Sequence, residues 1–422
     1  MLDNKNKKLE YFLILLFGFF CLYQFFFLFG SNSVNDFFLH NIDGQKLGSL
    51  TIKDIFYWNY GLYGWQFMPR PAFFPNLLVQ AVVVPFGFNH FLNNLVFSMI
   101  MCGITFLSLF LLCYQAAGAG ARSRIGSYCD VNPDYFLSWR QILIFCLGFF
   151  SVCLFVANKT NFLWSLYTSY HLENLINTIL YFYFMLQLVQ KTTKTSIFLV
   201  SIMIVLGLIS NRLFLVTGLI PAWFGVLCLL IFYNNGSYKR LFLWTIWQAL
   251  ISFCSLLIYL LPEFFYGNEY LIKNSSSKYT FIERVIGLFS YYNSDLSAFF
   301  MLCVFISLFG LLYQVVSGKN NRFLSKTNIN LSWKFFLIVS FLSGLFNLLL
   351  FLISKGKFDN FDGYDRYIIV FCFLTPSVFL FSLYWRFKNF IIALYIILGL
   401  FLAVLVSDQK INYKIYTLNK QN

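Results

Sequence analysis

The stretch FLNNLVFSMIMCGITFLSLFLLCY (residues 91–114) decides the fold, because it holds no charged side chain over its whole length. A membrane-spanning helix needs roughly 17 to 25 predominantly apolar residues to cross about 30 Å of hydrocarbon. Comparable apolar runs recur along the chain, and short polar loops separate them. The stretch therefore predicts one helix of an all-α, polytopic integral membrane protein.

The composition supports the same class. Hydrophobic residues make up 59% of the 422 residues and charged residues 11%, and the mean hydropathy is +0.72. A soluble domain averages about 45–50% apolar and about 25% charged residues. The net charge of +14 comes from basic residues scattered in short loops, without the basic stripe that binds nucleic acid. We therefore expect membrane lipids among the partners and no nucleic acid.

Several kinds of chemistry have no support in the sequence. The ten cysteines form no CxxC pair, and nine of them lie in or beside apolar runs, where Cys behaves as a small hydrophobe. The chain contains no P-loop, no GxSxG nucleophile elbow and no HExxH zinc motif. The sequence thus favours neither an ATP-driven protein nor a metalloprotease, and it predicts no disulfide framework and no cofactor.

The apolar pattern predicts about eleven spans within a single membrane domain that covers residues 1–422. The first span is interpreted as an uncleaved anchor, because the residues after it lack a small-x-small cleavage site. The shortest span is 196–210, and without it every later helix would reverse its direction. The predicted spans are 11–30, 91–114, 141–157, 172–190, 196–210, 213–233, 241–261, 297–316, 335–354, 367–385 and 389–406.

The charge pattern predicts that the N-terminus lies inside. With that orientation the inner loops carry sixteen basic and four acidic residues, a net charge of +12, against +2 outside. Orientation follows the Lys and Arg residues of short loops, and the inner ones crowd the helix ends. The expected location is the inner membrane of a bacterium, with the N-terminus in the cytoplasm.

Two outer loops are long, at about 31–90 and 262–296. Within the first, PNLLVQAVVVPFG (residues 75–87) is apolar but too short to span, which favours an interfacial or re-entrant segment. Pro75 suits the first turn of a helix, and Gly87 marks its end. The inner loop 115–140, with its AAGAGARSR sequence, is interpreted as a flexible linker.

All three histidines and twelve of the sixteen acidic residues fall on the predicted outer side. The first candidate site there is NDFFLHN (residues 35–41), just after the first span. Asp36 near His40 could accept a proton from a sugar or lipid hydroxyl while that oxygen attacks. The alternative is a solvated loop carboxylate.

The second candidate site is YHLEN (residues 170–174), at the outer start of the fourth span. His171 and Glu173 are costly at the edge of a membrane helix unless they face a polar cavity. They do not share one helical face, because helical neighbours lie three or four residues apart. The alternative is an interfacial cap, with Glu173 near the positive end of the helix dipole.

Two arginine segments complete the candidates. Arg212 lies between two apolar runs in a very short outer turn, at the depth of a lipid phosphate, and Arg suits bidentate phosphate binding. Arg366, with Tyr367, opens the tenth span, where the helix dipole disfavours a cation, so an anionic partner would explain it. Snorkelling of Arg212 to the interface, and pairing of Arg366 with Asp359, Asp362 or Asp365, are the alternatives.

This layout resembles the GT-C superfamily of membrane glycosyltransferases, which use polyprenyl-phosphate-linked sugars. In that family one span leads into a long outer loop with an acidic catalytic residue near its start, a place that Asp36 matches. The stretch RPAFFPNLL (residues 70–78) is similar to the family's proline-led outer helix. DRYII (residues 365–369) is similar to the Arg-Tyr pair that opens a late span in several members.

The resemblance implies an inverting transfer of a sugar from a polyprenyl-phosphate donor to a lipid or polysaccharide acceptor on the outer face. Asp36 would act as the base, with His40 beside it. Many members carry two acidic residues where this chain has Asn35 and Asp36, so a requirement for a divalent metal stays open. The residues implied in substrate binding are Arg70, His171, Glu173, Arg212, Arg366 and Tyr367.

Three other classes remain open. An O-antigen-type polymerase or ligase also joins lipid-linked glycans, and loop 262–296 with Arg284 is compatible with one, although small. A transporter or flippase of envelope glycolipids would favour ionisable residues at the bilayer midplane and internal repeats, neither of which is visible. The third is a non-enzymatic envelope scaffold.

Overall fold

The computed structural model describes residues 2–29, 73–88, 90–122, 137–160, 172–190, 192–211, 213–233, 237–266, 304, 306, 328–353, 370–387, 389 and 391–393, and this part is almost entirely helical. Its ten α-helices are α1 Leu2–Phe29, α2 Leu78–Val83, α3 His90–Arg122, α4 Trp139–Thr160, α5 Leu172–Gln190, α6 Lys194–Ser210, α7 Ile220–Tyr233, α8 Ser237–Tyr266, α9 Asn328–Ile353 and α10 Thr375–Arg386. Wide π-type turns at Leu215–Leu219 and Val370–Leu374 precede α7 and α10, and a kinked segment, Phe73–Leu77, precedes α2. We call these three the irregular segments.

Four helices of the described part are long and apolar enough to cross a membrane: Lys7–Phe26, Leu92–Ala117, Trp139–Val156 and Leu172–Gln190. Shorter apolar helices accompany them, among them Lys194–Ser210 and Phe335–Leu350. The predicted class, an all-α membrane protein, is confirmed to this extent. The total of about eleven spans stays a prediction. The predicted span 297–316, apart from Val304 and Ile306, and most of the span 389–406 lie outside the described residues.

Contacts between side chains show which helix ends lie together. At one end of the bundle, Gln141 donates to Glu10 at 2.7 Å, and Tyr384 donates to the carbonyl oxygen of Gln141 at 3.0 Å. The starts of α1 and α4 therefore meet the end of α10. Gln115, about two turns before the end of α3, and Gln190, the last residue of α5, are hydrogen-bonded at 2.7 Å. We call this the Glu10 end.

The opposite end gathers the remaining termini. Asn211, which follows α6, donates to Glu173 at the start of α5, and Asn347 near the end of α9 accepts from the backbone of Phe371. We call this the Glu173 end. These two sets of helix ends agree with the alternation of inner and outer loops predicted from the sequence. In that prediction residues 10, 115, 140 and 190 lie on one side. Which end faces the cytoplasm stays a prediction.

The predicted span with the fewest residues, 196–210, is a helix of 17 residues, Lys194–Ser210. A capping box begins it: Thr193 Oγ1 accepts from the Ser196 backbone, and Ser196 Oγ accepts from the Thr193 backbone. At about 1.5 Å per residue, α6 is about 25 Å long. Helix α6 starts just after the end of α5 and ends beside the start of α5. It therefore runs the full length of α5, which is one of the four candidate spans.

Helix α5 lies at the centre of the described bundle. Thirteen of its side chains are buried, and it contacts α3, α6, α9 and all three irregular segments. Phe214 fills the space beside it, with its ring between Gly207 and Gly218, whose missing Cβ atoms admit it. By contrast, α1 and α8 carry many exposed large apolar side chains, which suits a face in contact with lipid.

The short apolar segment of the first loop is helical, as predicted. It comprises the kinked segment Phe73–Leu77, α2 and a 3-10 turn at Val84–Phe86. The 3-10 turn ends at Gly87, whose φ of 66° is left-handed. Gln80 accepts from Asn93 at 3.3 Å, near the start of α3. The segment begins at the Glu173 end, and α3, which follows it, starts at that end as well. The segment therefore enters and leaves the bundle at one face.

The inner linker was predicted wrongly in part. Helix α3 continues through Arg122, so the sequence AAGAGAR is helical up to that residue. Alanine has the highest helix propensity, and four alanines outweigh the cost of Gly118 and Gly120 when a long helix already precedes them.

Candidate functional site at the start of α5

Glu173 is the second residue of α5, and its side chain is only 3% exposed. Its Oε1 accepts from the side-chain amide of Asn211 at 3.1 Å, and its Oε2 accepts from that of Asn76 at 3.4 Å. The first turn of a helix carries partial positive charge, which favours a carboxylate there. Glu173 therefore turns into the bundle and joins α5 to two other elements.

Asn211 reaches Glu173 because it ends α6 in an extended conformation, with φ −157° and ψ 120°. Its backbone N–H still donates to the carbonyl oxygen of Gly207 at 2.9 Å, and its Oδ1 accepts from the backbone of Leu213 at 3.0 Å. These bonds fix the short turn between α6 and the next helix. The amide nitrogen of Asn211 is then directed at the carboxylate.

Phe74 brings the first loop to the same place. Its backbone is extended, with φ −125° and ψ 133°, so both of its backbone polar groups need partners outside a helix. The N–H donates to Ser210 Oγ at 2.8 Å, and the carbonyl oxygen accepts from Asn177 Nδ2 at 3.2 Å. Helices α5 and α6 thus hold the segment that supplies Asn76.

A second polar layer lies around Thr217, in the π-type turn Leu215–Leu219. Its hydroxyl lies 3.1 Å from Asn174 Oδ1 and 3.0 Å from Thr178 Oγ1, both on α5. Its carbonyl oxygen accepts from Ser343 on α9. A wide turn leaves carbonyl groups out of the regular α-helical register, and such turns are frequent at functional sites. Buried polar side chains therefore tie α5, the turn and α9 together.

The three irregular segments share one relation to the sequence. Arg70, Arg212 and Arg366 precede the segments that begin at Phe73, Leu215 and Val370 by only three, three and four residues. All three segments contact α5. Because three or four residues of chain reach at most about 14 Å, the connection to each arginine begins close to α5.

Of the residues predicted from the sequence, the structure describes Glu173, which is buried at the centre of the polar cluster. The other predicted site residues lie outside the described residues: Asp36, His40, Arg70, His171, Arg212, Arg366 and Tyr367. Whether they converge on one cavity stays a prediction.

The structure adds polar residues to which the sequence analysis gave no role, although one of them, Asn174, lies in the candidate segment YHLEN: Asn76, Asn174, Asn177, Asn211, Thr178 and Thr217. On α5 a signal existed, because residues 173, 174, 177 and 178 repeat polar side chains at helical spacing within an apolar span. No comparable pattern marks Asn76 or Asn211, whose role depends on contacts across 97 and 38 residues of sequence.

Within the described ranges, no group of three or more His, Cys, Asp or Glu side chains could hold a metal ion. No protein-family model, no curated protein and no solved structure matches the chain. The function is therefore inferred from the residues and their geometry.

Proposed function

We propose that the protein is a multi-pass membrane glycosyltransferase that transfers a sugar from a polyprenyl-phosphate donor to a lipid or glycan acceptor. The reaction takes place at the Glu173 end, which we assign to the outer face of a bacterial inner membrane with the N-terminus inside. The single observation that carries the proposal is the contact of α5 with the three irregular segments, each of which follows an arginine by three or four residues.

This arrangement supports an anion-binding site. Arginine recognises phosphate through two parallel hydrogen bonds, and several arginines near one helix start would neutralise a phosphate at the depth of the lipid headgroups. In the proposal Arg70, Arg212 and Arg366 bind the donor phosphate, with Tyr367 beside them. The positive end of the α5 dipole adds to the same field.

Glu173 has a positioning role in this proposal. Because its carboxylate is enclosed and accepts bonds from Asn76 and Asn211, it is poorly placed to take a proton from a sugar hydroxyl. It joins the returning first loop to the turn that contains Arg212. Asp36, on that first loop, is the proposed base, with His40 beside it, and His171 completes the substrate-binding residues.

The run of α6 along the whole of α5 supports the proposed topology. If α6 spans, the segments that contain residues 36, 70, 171, 212 and 366 all lie on one side of the membrane. If α6 did not span, Arg212 and Arg366 would lie on the opposite side of the membrane from the first loop. The eleven-span arrangement is therefore part of the same proposal.

The test is donor turnover by purified protein in proteoliposomes. A panel of radiolabelled polyprenyl-phosphate-linked hexoses is supplied as donor and a total envelope lipid extract as acceptor. We expect one donor to be consumed with release of polyprenyl phosphate, and consumption to fall when Arg70, Arg212 or Arg366 is replaced by Gln. If no donor in the panel is consumed while the protein stays folded, the proposal fails.

A transporter of envelope glycolipids is the second candidate. The observation that favours it is an ionisable side chain buried between broken helices, because transporters place coupling groups beside unwound backbone. The same proteoliposomes separate the two candidates. A transporter moves the intact labelled donor across the bilayer, whereas a glycosyltransferase cleaves it.

A further inference from the structure

We propose that the Glu10 end binds an anionic phospholipid, with the lipid phosphate at Arg140 and the acyl chains along α1. The site lies between the starts of α1 and α4, at the opposite end of the bundle from Glu173. The inference therefore does not depend on the proposed transfer reaction.

Three neighbours fix the guanidinium of Arg140, the second residue of α4. Its Cζ lies 5.4 Å from the centre of the Tyr11 ring and 5.9 Å from that of the Trp139 ring, and its Nε lies 3.4 Å from Glu10 Oε2. A cation within about 6 Å of an aromatic ring is attracted by it. Only 18% of the Arg140 side chain is exposed, so the cation is held against the protein.

The guanidinium has hydrogen-bonding capacity that the protein leaves unused. Arginine carries five N–H donors in a planar fork. Among the residues that the structure describes, the one hydrogen bond of this group runs from Nη1 to the Tyr11 hydroxyl, and it is long, at 3.5 Å. Nε is buried without a hydrogen-bond partner, although the Glu10 carboxylate is near. The edge formed by Nη1 and Nη2 is therefore available to a ligand with two acceptor oxygens, as a phosphate has.

The charges around Arg140 favour an anion at this edge. Lys8 is exposed and precedes Tyr11 by three residues, so the two side chains share a face of α1. Tyr11 therefore has a cation on its own helix as well as Arg140 beside it. The carboxylate of Glu10 accepts from Gln141 at 2.7 Å and lies at Nε, so its repulsion directs a phosphate to the Nη1–Nη2 edge.

The surrounding surface favours a lipid over a soluble phosphate. Tyr11 and Trp139 are each about half exposed, and aromatic side chains of this kind mark the headgroup level of a membrane. Next to Tyr11, α1 exposes Phe12, Leu15 and Phe19, each by more than half. A phosphate at the guanidinium thus lies at the edge of a surface that acyl chains can cover. Basic pockets between membrane helices bind anionic headgroups in this way.

Photocrosslinking in nanodiscs tests the site on the full-length protein. The nanodiscs contain equal amounts of phosphatidylglycerol and phosphatidylcholine with the same acyl chains, so the lipids differ only in the headgroup. The crosslinker p-benzoylphenylalanine replaces Phe12 or, as the control, Phe198, which is similarly exposed one turn after the start of α6 at the same end. One cation near a membrane surface favours an anionic lipid by about fivefold. We expect at least this preference for phosphatidylglycerol at position 12 and none at position 198.

Variants assign the preference to named side chains. Arg140→Gln should abolish it at position 12, and Arg140→Lys should reduce it, because the charge stays while the fork is lost. Lys8→Gln should also reduce it, and this variant decides the question if Arg140→Gln does not fold, because Lys8 is exposed. Lys194→Gln, an exposed cation at the same end, should leave it unchanged, with Tm measured on every sample.

Three results would overturn the inference. The first is equal crosslinking of the two lipids at position 12 of the otherwise unchanged protein. The second is a preference that persists in a folded Arg140→Gln protein or is unaffected by Lys8→Gln. The third is a loss of the preference in Lys194→Gln, since the selection would then come from the general positive charge of this end rather than from Arg140.

Discussion

The carboxylate of Glu173 and the amide of Asn211 are hydrogen-bonded at 3.1 Å across 38 residues of sequence, and both side chains are buried. This bond joins the start of α5 to the end of α6. It therefore fixes the turn that contains Arg212, one of the proposed phosphate-binding residues, relative to the central helix of the bundle.

Replacing Glu173 by Leu should destabilise the protein. The substitution leaves the amides of Asn76 and Asn211 without an acceptor, and each buried unsatisfied group costs about 1–3 kcal/mol. Glu173→Gln keeps one acceptor oxygen and a similar shape, so its loss should be smaller. The measurement is the Tm of purified protein in detergent, with Glu10→Gln at the other end as the control. A Glu173→Leu protein as stable as wild type would show that the bond contributes nothing.

Adding a methyl group at Gly207 should also destabilise the protein. A Cβ there would lie 2.5 Å from the ring of Phe214, and one at Gly218 would lie 2.6 Å from the same ring. Overpacking of this kind costs about 1–3 kcal/mol. Gly103→Ala is the matched control, since nothing lies within 4 Å of its Cβ and alanine favours helix.

The Phe214→Leu substitution tests whether contact with the Phe214 ring causes the loss of stability in Gly207→Ala. If ring contact is the reason, Gly207→Ala should lose less stability in the Phe214→Leu background than in the wild type, because the smaller side chain leaves room. Equal losses in the two backgrounds would assign the effect to the helix backbone instead.

Single cysteines should report the direction of α6. In a cysteine-depleted protein, Ser49→Cys should react with a membrane-impermeant maleimide added outside intact cells, whereas Lys194→Cys and Ser123→Cys should react only after permeabilisation. Lys194 is exposed at the start of α6, so its label is not blocked by packing. Outside labelling at position 194 together with protection at position 49 would reverse the proposed orientation.

Arg366→Lys should weaken donor binding although the charge is kept. Lysine lacks the planar fork that pairs with two phosphate oxygens, so the apparent KM for the donor should rise. Arg386→Lys, at the end of α10, is the control. Unchanged KM and kcat in Arg366→Lys would mean that this side chain only anchors its helix at the interface.

The fold could be predicted where apolar runs and caps are local. The predicted span 172–190 agrees with the helix Leu172–Gln190. The first-loop segment ends at Gly87 as predicted, and this glycine adopts the left-handed φ that favours it at a helix end. The turn Leu215–Leu219 could not be predicted, because its sequence has the same apolar pattern as an α-helix. Its geometry depends on Phe214 packing between Gly207 and Gly218 and on Thr217 bonding to α5.

The site was predictable only in part for the same reason. Glu173 is conspicuous because an acidic residue at the start of an apolar span is costly. Asn76 and Asn211 are ordinary residues in loop sequences, and they become partners of Glu173 only when distant segments pack. Polar residues whose bonds cross the bundle leave no periodic signal in the chain.

The most direct test of the proposed reaction is lipid-linked sugar turnover by purified Asp36→Asn protein beside wild type, with Tm measured on the same samples. Asn keeps the shape of Asp but cannot accept the proton, so we expect turnover to fall by about 10²- to 10⁴-fold with little change in Tm. Near-wild-type turnover of the variant would contradict the account, because Asp36 would then not be the base.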